Sequence, residues 1–174
     1  PGVTQAWTNG SIDQLRIFNS VLPQAAVTAL YNETTTTATY PYVDYVGANP
    51  NSIAYYKMSD ATDQLGNYNG TPTNVNFNVA GKFGFAGAFN GSSSRIEIPN
   101  ASKPSLSTAT VSFWLKTSST YTQGLVGEGY SGNYWGNLQI YLSSNKLNAR
   151  SGNASSTEDS SWLSTSDVNT GNWV

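Results

Sequence analysis

Three oxygen-bearing side chains lie close together in a segment that is rich in turn-forming residues. Asp60, Asp63 and Asn67 occupy the stretch DATDQLGNYNGT. Carboxylate and amide oxygens are, with backbone carbonyls, the ligands that Ca²⁺ prefers, so the segment predicts a calcium site at these residues. In the alternative interpretation, which we favour, Asp63 and the asparagines accept hydrogen bonds from nearby backbone N–H groups and cap turns, with no cofactor bound.

Aromatic side chains are concentrated in a glycine-rich stretch, GEGYSGNYWGN, which we expect to form a surface loop. Tyr130, Tyr134 and Trp135 lie there beside the amide side chain of Asn133. Sugar rings and protein partners both bind to such aromatic faces, so these four residues are predicted to bind a ligand. Alternatively, Trp135 folds over the end of the core. The other tryptophans are predicted to pack in the interior: Trp7, Trp114, Trp162 and Trp173.

The residue types on which most enzymes depend are missing from this chain. Its 174 residues include no histidine and no cysteine, which removes the usual general base, the commonest metal ligand and the thiolate nucleophile. Retaining glycosidases instead need two carboxylates about 5 Å apart. No such pair alternates along one strand, and the adjacent Glu158 and Asp159 would point to opposite faces. The chain is therefore predicted not to be an enzyme.

Charge and hydropathy exclude two further classes of partner. The net charge is −2 and the 8 basic residues are scattered singly, so no basic stripe can follow a phosphate backbone. No apolar run is long enough to span a bilayer, and no secretory leader is recognisable. Nucleic acid and membrane are thus not expected as partners. The abundance of Ser, Thr, Asn and Tyr favours strands joined by turns.

Hydrophobic alternation predicts the first elements that must position these residues. Residues 11–18 alternate as a strand, with Leu15 and Ile17 together on one face. Pro23 stands at a favoured first position of a short helix. The apolar stripe of that helix is predicted to consist of Val27, Leu30 and Tyr31.

The later part of the chain reads as a series of short strands. Residues 53–58 alternate, and an Asn-Gly pair predicts a hairpin between residues 88–90 and 95–98. The clearest strand covers residues 110–117, with Trp114 on the face opposite the apolar side chains. Further strands are predicted at GLVGEG, NLQIYL and KLNAR. Short strands separated by turns indicate an all-β sandwich or barrel.

Several short motifs follow one another in a recognisable order. They are IAYYKM, DQLGN, NGT, GKFG, FNG, IEIP and VSFWLK. No single motif is specific, but the ordered set resembles the LamG-like jelly-roll family of the concanavalin A-like superfamily. The resemblance covers most of the chain, and it implies an antiparallel jelly-roll β-sandwich with one short helix near the N-terminus.

The closing motif of that family, Gly-x-Ile-Asp-x-x-Arg-Ile-aromatic followed by a helix, occurs here within residues 10–31, ahead of the opening motif. The resemblance thus implies a closing strand and helix at 1–33, a polar linker at 34–51, and a truncated jelly roll at 52–174. Three explanations are open. The chain is a slice through tandem jelly rolls, which we place first; or a permuted domain whose first strand folds back beside IAYYKM; or its first strand completes a neighbouring subunit.

The resemblance and the composition together predict a non-catalytic structural or adhesion module of a surface assembly. A neutral, Asn/Ser/Thr/Tyr-rich chain without Cys or His is similar to bacteriophage virion proteins such as capsid decoration proteins and tail fibres. Its expected partners are copies of itself, other virion or surface proteins, and glycans; its expected location is the virion surface or the extracellular space. The alternative function is a carbohydrate-binding module of a secreted multidomain enzyme or adhesin.

Overall fold

The computed structural model of the chain describes residues 7–34, 52–99, 108–127, 138–152 and 158–174. These residues form antiparallel strands and one short helix near the N-terminus, so the prediction of an all-β chain with one helix is confirmed. The elements are β1 (Asn9–Phe18), α1 (Gln24–Tyr31), β2 (Ser52–Tyr56), β3 (Thr71–Thr73), β4 (Asn76–Ala80), β5 (Phe85–Asn90), β6 (Arg95–Glu97), β7 (Thr110–Lys116), β8 (Gln123–Gly127), β9 (Leu138–Ser143), β10 (Lys146–Gly152) and β11 (Glu158–Asp167).

The strands form three sheets within the described residues. A five-stranded sheet has the order β2-β1-β5-β4, with β7 also pairing with β1. A four-stranded sheet has the order β11-β10-β9-β8, and β3 pairs with β6. Strands β8 to β11 are consecutive in the chain and antiparallel, and the two residues 144 and 145 join β9 to β10.

Strand β1, which carries the closing motif, lies in the same sheet as β2. Leu15 is opposite Tyr56 and Ile17 is opposite Ala54 in an antiparallel ladder. The sheet therefore contains, from this same chain, a strand that a slice through tandem domains would assign to a preceding domain. Of the linker predicted at residues 34–51, all but Thr34 lies outside the described residues.

The more buried face of β1 is its polar one. Gln14, Arg16 and Phe18 are buried, whereas Leu15 and Ile17 are only half-buried. Gln14 has a φ of 52°, a left-handed conformation that interrupts regular alternation and is typical of a bulge. Simple alternation of apolar residues could not reveal this, because the buried polar side chains are stabilised by hydrogen bonds rather than by hydrophobic contact.

Helix α1 begins at Gln24, so Pro23, predicted at the first helical position, is instead the N-cap residue, and the helix buries a different stripe from the one predicted. Ala26 and Leu30 are buried, while Val27 is 42% exposed and Tyr31 is 69% exposed. The prediction that Val27 and Tyr31 belong to the buried stripe is therefore wrong. The buried helix residues pack with β1 and the turn that follows it, in a core cluster of Phe18, Leu22, Ala26 and Leu30, with Tyr55 against it.

The hairpin predicted around Asn90 and Gly91 does not form. Strand β5 pairs with β1 and β4, and β6 pairs with β3. The side-chain Oδ1 of Asn90 accepts hydrogen bonds from the backbone N–H groups of Ser92, Ser93 and Ser94. These bonds close the segment into a compact side-chain-capped loop, which takes the chain away from β5 instead of turning it back.

The structure divides into two compact units. The helix unit comprises Ser11–Ala88 and Ile96–Trp114, and the C-terminal unit comprises Pro1–Gly10, Phe89–Arg95 and Leu115–Val174. Trp162 of the C-terminal unit is 58% exposed, so the prediction that it packs in the interior is wrong. It lies on β11, the last strand of the four-stranded sheet, where one edge of the strand has no neighbour within the described residues.

Candidate functional site

Tyr130, Asn133, Tyr134 and Trp135 all lie outside the described residues, between the end of β8 and the start of β9. Their predicted role in binding stays a prediction.

Asp63, one of the three predicted calcium ligands, is the centre of the loop that follows β2. Its Oδ1 accepts hydrogen bonds from the backbone N–H groups of Tyr55 (2.8 Å) and Leu65 (3.1 Å). Its Oδ2 accepts from those of Asn67 and Tyr68, each at 3.0 Å. A carboxylate offers about four acceptor positions, and four N–H donors occupy this one. Capping by Asp63 therefore accounts for the loop without a cation.

The other two predicted ligands do not join Asp63 through their side chains. Asp60 is exposed, and its Oδ1 accepts a hydrogen bond from the N–H of Thr62 at 2.8 Å. Asn67 contributes its backbone N–H to Asp63, and its side chain is exposed. Among the described residues no group of three or more acidic, His or Cys side chains could hold a metal ion. A calcium ion at Asp63 would have to displace these backbone N–H donors. The calcium site stays a prediction.

Tyr56 also holds the loop that follows β2 and contains Asp63. Its hydroxyl donates a hydrogen bond to the carbonyl of Tyr68. Burial, and then the nearby charge of Asp63, raise the pKa of Tyr56 above its ordinary value, so the hydroxyl keeps its proton and remains a donor. Two adjacent residues of β2 therefore hold the loop: Tyr55 bonds to Asp63, and Tyr56 bonds to Tyr68.

A second polar network lies inside the helix unit and is built on the closing motif. Arg16 donates from Nη1 to Glu33 Oε1 at 2.6 Å and from Nη2 to Glu33 Oε2 at 2.9 Å, a bidentate pair. Gln14 Oε1 accepts from Arg16 Nη2 (3.2 Å) and from the hydroxyl of Tyr55 (2.5 Å). Burial raises the pKa of Tyr55, while the Arg16 charge acts in the opposite direction. The network joins β1 to β2 and to the segment after α1.

Asp13 extends this network to the turn between β4 and β5. Its Oδ1 accepts from Gln14 Nε2 at 3.2 Å, and its Oδ2 accepts from the backbone N–H of Phe83 at 2.8 Å. Burial raises the pKa of the Asp13 carboxyl above its ordinary value, although these hydrogen bonds lower it. A side chain at Gly81 would place its Cβ 2.6 Å from Asp13 Oδ2. The backbone at Gly81 thus lies so close to the Asp13 carboxyl that no side chain fits between them.

The turn held by Asp13 presents two side chains to Trp114. The ring of Phe83 meets Trp114 edge-on, with centroids 6.3 Å apart and an interplanar angle of 84°. The Nζ of Lys82 lies 4.2 Å from the Trp114 ring centroid, a cation–π distance. From the end of α1, Tyr31 stacks on Trp114 with centroids 5.7 Å apart and an interplanar angle of 26°. We call Tyr31, Lys82, Phe83 and Trp114 the Trp114 cluster.

The Trp114 cluster is the side-chain arrangement that sequence reasoning missed. The alternation in β7 predicts that Trp114 lies on the face opposite the apolar side chains, where a large ring needs a cover of its own. The need for such a cover is a signal that the sequence contains, but nothing in the sequence identifies Tyr31 and Lys82 as the residues that contact Trp114. Both residues are distant from Trp114 in the sequence, and helical spacing places Tyr31 in the predicted buried stripe of α1.

Comparisons of the chain with protein-family models, with curated proteins and with solved structures find no match. In the part of the chain that the structure describes, no helix has the length and apolar character needed to cross a membrane.

Proposed function

We propose that the chain is a non-catalytic structural or adhesion module of a surface assembly such as a bacteriophage virion. It would serve as a decoration or fibre domain at the virion surface or in the extracellular space. Copies of itself or other surface proteins would be its partners. The finer fold that we propose for it is a LamG-like jelly-roll β-sandwich; antiparallel sheets, one short helix and the pairing of β1 with β2 support it.

The observation that carries the non-catalytic proposal is how the carboxylates are used. Among those whose side chains are described, only Asp13, Glu33 and Asp63 are shielded from solvent. Each accepts hydrogen bonds from donors of this same chain. A general acid or nucleophile must instead present its carboxyl to a substrate. In a chain without His or Cys, this leaves the shielded carboxylates to hold loops and strands in place.

The edge strand β11 supports a role in assembly. It is ten residues long, and it ends the four-stranded sheet within the described residues. Trp162 and Leu163 are 58% and 54% exposed on it. An edge strand with open backbone groups and exposed apolar side chains is a ready partner for another chain.

The proposal is tested by sedimentation velocity on the purified chain and on a Trp162→Ser variant. We expect concentration-dependent self-association that Trp162→Ser weakens about tenfold or more, because an exposed indole at an interface commonly contributes over 1 kcal/mol. Tyr121→Ser is the matched control: Tyr121 is 79% exposed in the same unit but lies outside β11.

A second measurement addresses the surface assembly itself. Material from the natural source is fractionated by ultracentrifugation and probed with antibodies against this chain. We expect the antigen in the particle pellet, where gold-labelled antibodies decorate the particle surface. Antigen found only as a soluble multidomain protein, together with a monomeric purified chain, would overturn the proposal and favour a secreted binding module.

A further inference from the structure

The exposed ring of Tyr31 is held ready for a ligand. Tyr31 is the last residue of α1 and is 69% exposed, whereas Trp114 beneath it is only 8% exposed. Stacking on the buried indole fixes the orientation of the tyrosine ring but leaves most of its surface in water. A ring that is already oriented loses little side-chain entropy when a ligand stacks on it.

A cation lies on the same indole. Lys82 is exposed, and its ammonium is 4.2 Å from the Trp114 centroid. The turn that carries Lys82 is closed by a 2.9 Å hydrogen bond from Gly81 N to Gly84 O, and Asp13 holds it through Phe83 N. These bonds hold the backbone that carries Lys82, and the contact with Trp114 places its ammonium on the indole.

The charge balance at this surface favours an anionic ligand. Glu33, which follows α1 closely, is neutralised by its bidentate pair with Arg16. Lys82 is thus a positive group beside an aromatic face in a chain whose net charge is −2. An aromatic face stacks against the apolar C–H face of a sugar ring, and an ammonium donates hydrogen bonds to a carboxylate. A sugar that carries a carboxylate satisfies both groups at once.

We propose that Tyr31 and Lys82, supported by Trp114, form a binding site for an acidic oligosaccharide of the polyuronate class. One uronate ring stacks on Tyr31, and the carboxylate of the same or the adjacent ring pairs with Lys82. None of these residues belongs to the aromatic stretch 130–135 for which the sequence predicts ligand binding. It goes beyond the proposed assembly function, because a module can assemble without binding glycans.

The test uses the full chain with hexasaccharides of galacturonate and of mannuronate as probes, measured by calorimetry and by the indole N–H signal of Trp114 in NMR. The fully methyl-esterified galacturonate hexamer is the neutral control, since it keeps the rings and removes the charges. We expect at least one acidic hexamer to shift the Trp114 signal. The neutral ester should bind about tenfold more weakly, and added salt should weaken the acidic probe.

Substitutions separate the two contributions. Tyr31→Ala should lower affinity by about tenfold or more, whereas Tyr31→Phe, which keeps the stacking ring, should retain it. Lys82→Gln should reduce affinity for the acidic hexamer to that for its ester. Tyr121→Ala and Lys146→Gln are the matched controls, because they remove a ring and an ammonium at residues that lie on none of the elements that form the site.

Three results would overturn the site. The first is the absence of a Trp114 shift with both acidic hexamers; the second is equal binding of the ester; the third is binding that survives Tyr31→Ala unchanged. Because Tyr31 is largely exposed, we expect the Ala variant to stay folded, and the dispersion of its NMR signals checks this. None of these outcomes bears on self-association or particle location, so failure here is distinguishable from failure of the assembly proposal.

Discussion

At Asp13, two physical effects act on one carboxyl in opposite directions. Removal from water raises its pKa, and the hydrogen bonds from Phe83 N and Gln14 lower it, with burial the larger effect. The nearby cation, Arg16, is paired with Glu33, and Gln14 bonds to both Arg16 and Asp13. The folded chain therefore favours the protonated carboxyl relative to the unfolded chain.

This difference predicts a pH dependence of stability. Since the folded pKa lies above the unfolded value of 3.8, the stability that Asp13 contributes is fully present below that value. It is lost as the pH rises through the folded pKa. Asp13→Asn cannot ionise, and its carbonyl still accepts from Phe83 N. We expect its free energy of unfolding, relative to wild type, to improve from about pH 3 to about pH 7 in urea titrations.

Asp60→Asn is the control, since it makes the same change in formal charge at an exposed position. A difference between Asp13→Asn and wild type that stays flat across this pH range would contradict the account of Asp13.

At the scale of single elements, the turn between β4 and β5 joins the closing motif to the Trp114 cluster. A Cβ at Gly81 would lie 2.6 Å from Asp13 Oδ2 and 2.9 Å from the backbone of Phe85. Gly81→Ala must therefore move the turn. We expect a loss of about 1–3 kcal/mol in unfolding free energy, typical of overpacking, and a change in the tryptophan fluorescence spectrum, to which Trp114 contributes.

Gly84→Asn serves as the control in the same turn. Gly84 has a φ of +63° and no atom within 4 Å of a built Cβ, and asparagine tolerates this conformation better than most residues. We expect the control to cost less than Gly81→Ala and to leave the tryptophan spectrum unchanged. Equal effects of the two substitutions would show that the contact with Asp13 is unimportant.

The same elements show what the sequence could and could not reveal. Strand β7 was predictable because its apolar residues alternate without interruption. The buried face of α1 was not, because stripes through Val27 and through Ala26 both have helical spacing. Packing of Ala26 and Leu30 with Phe18 and Leu22, which helical spacing alone does not reveal, selects the stripe through Ala26. Strand β11 was missed because its serines and threonines give little hydrophobic alternation.

At the scale of the whole molecule, the first described residues contribute to both units. In the C-terminal unit, Thr8 Oγ1 donates to Gly124 O at 2.5 Å, and Asn9 N donates to Gln123 Oε1 at 2.6 Å. In the helix unit, β1 pairs with β2 and supplies Phe18 to the core. Among the described residues, therefore, the run 8–18, which begins just before the closing motif, makes structural contacts in each unit.

A substitution at Phe18 tests whether β1 is an integral part of the sheet that contains β2. Phe18 is fully buried, so Phe18→Ala should cost about 3–5 kcal/mol in the free energy of unfolding. Hydrogen exchange of the β2 amides should accelerate with it, because β2 pairs with β1 and Tyr55 packs against the Phe18 cluster. Val21→Ala, at a side chain 74% exposed, is the control and should change neither quantity. If the strands from β2 onward held together without β1, Phe18→Ala would leave the exchange of the β2 amides as in wild type. An accelerated exchange is what a permuted order requires and what a remnant of a preceding domain would not produce.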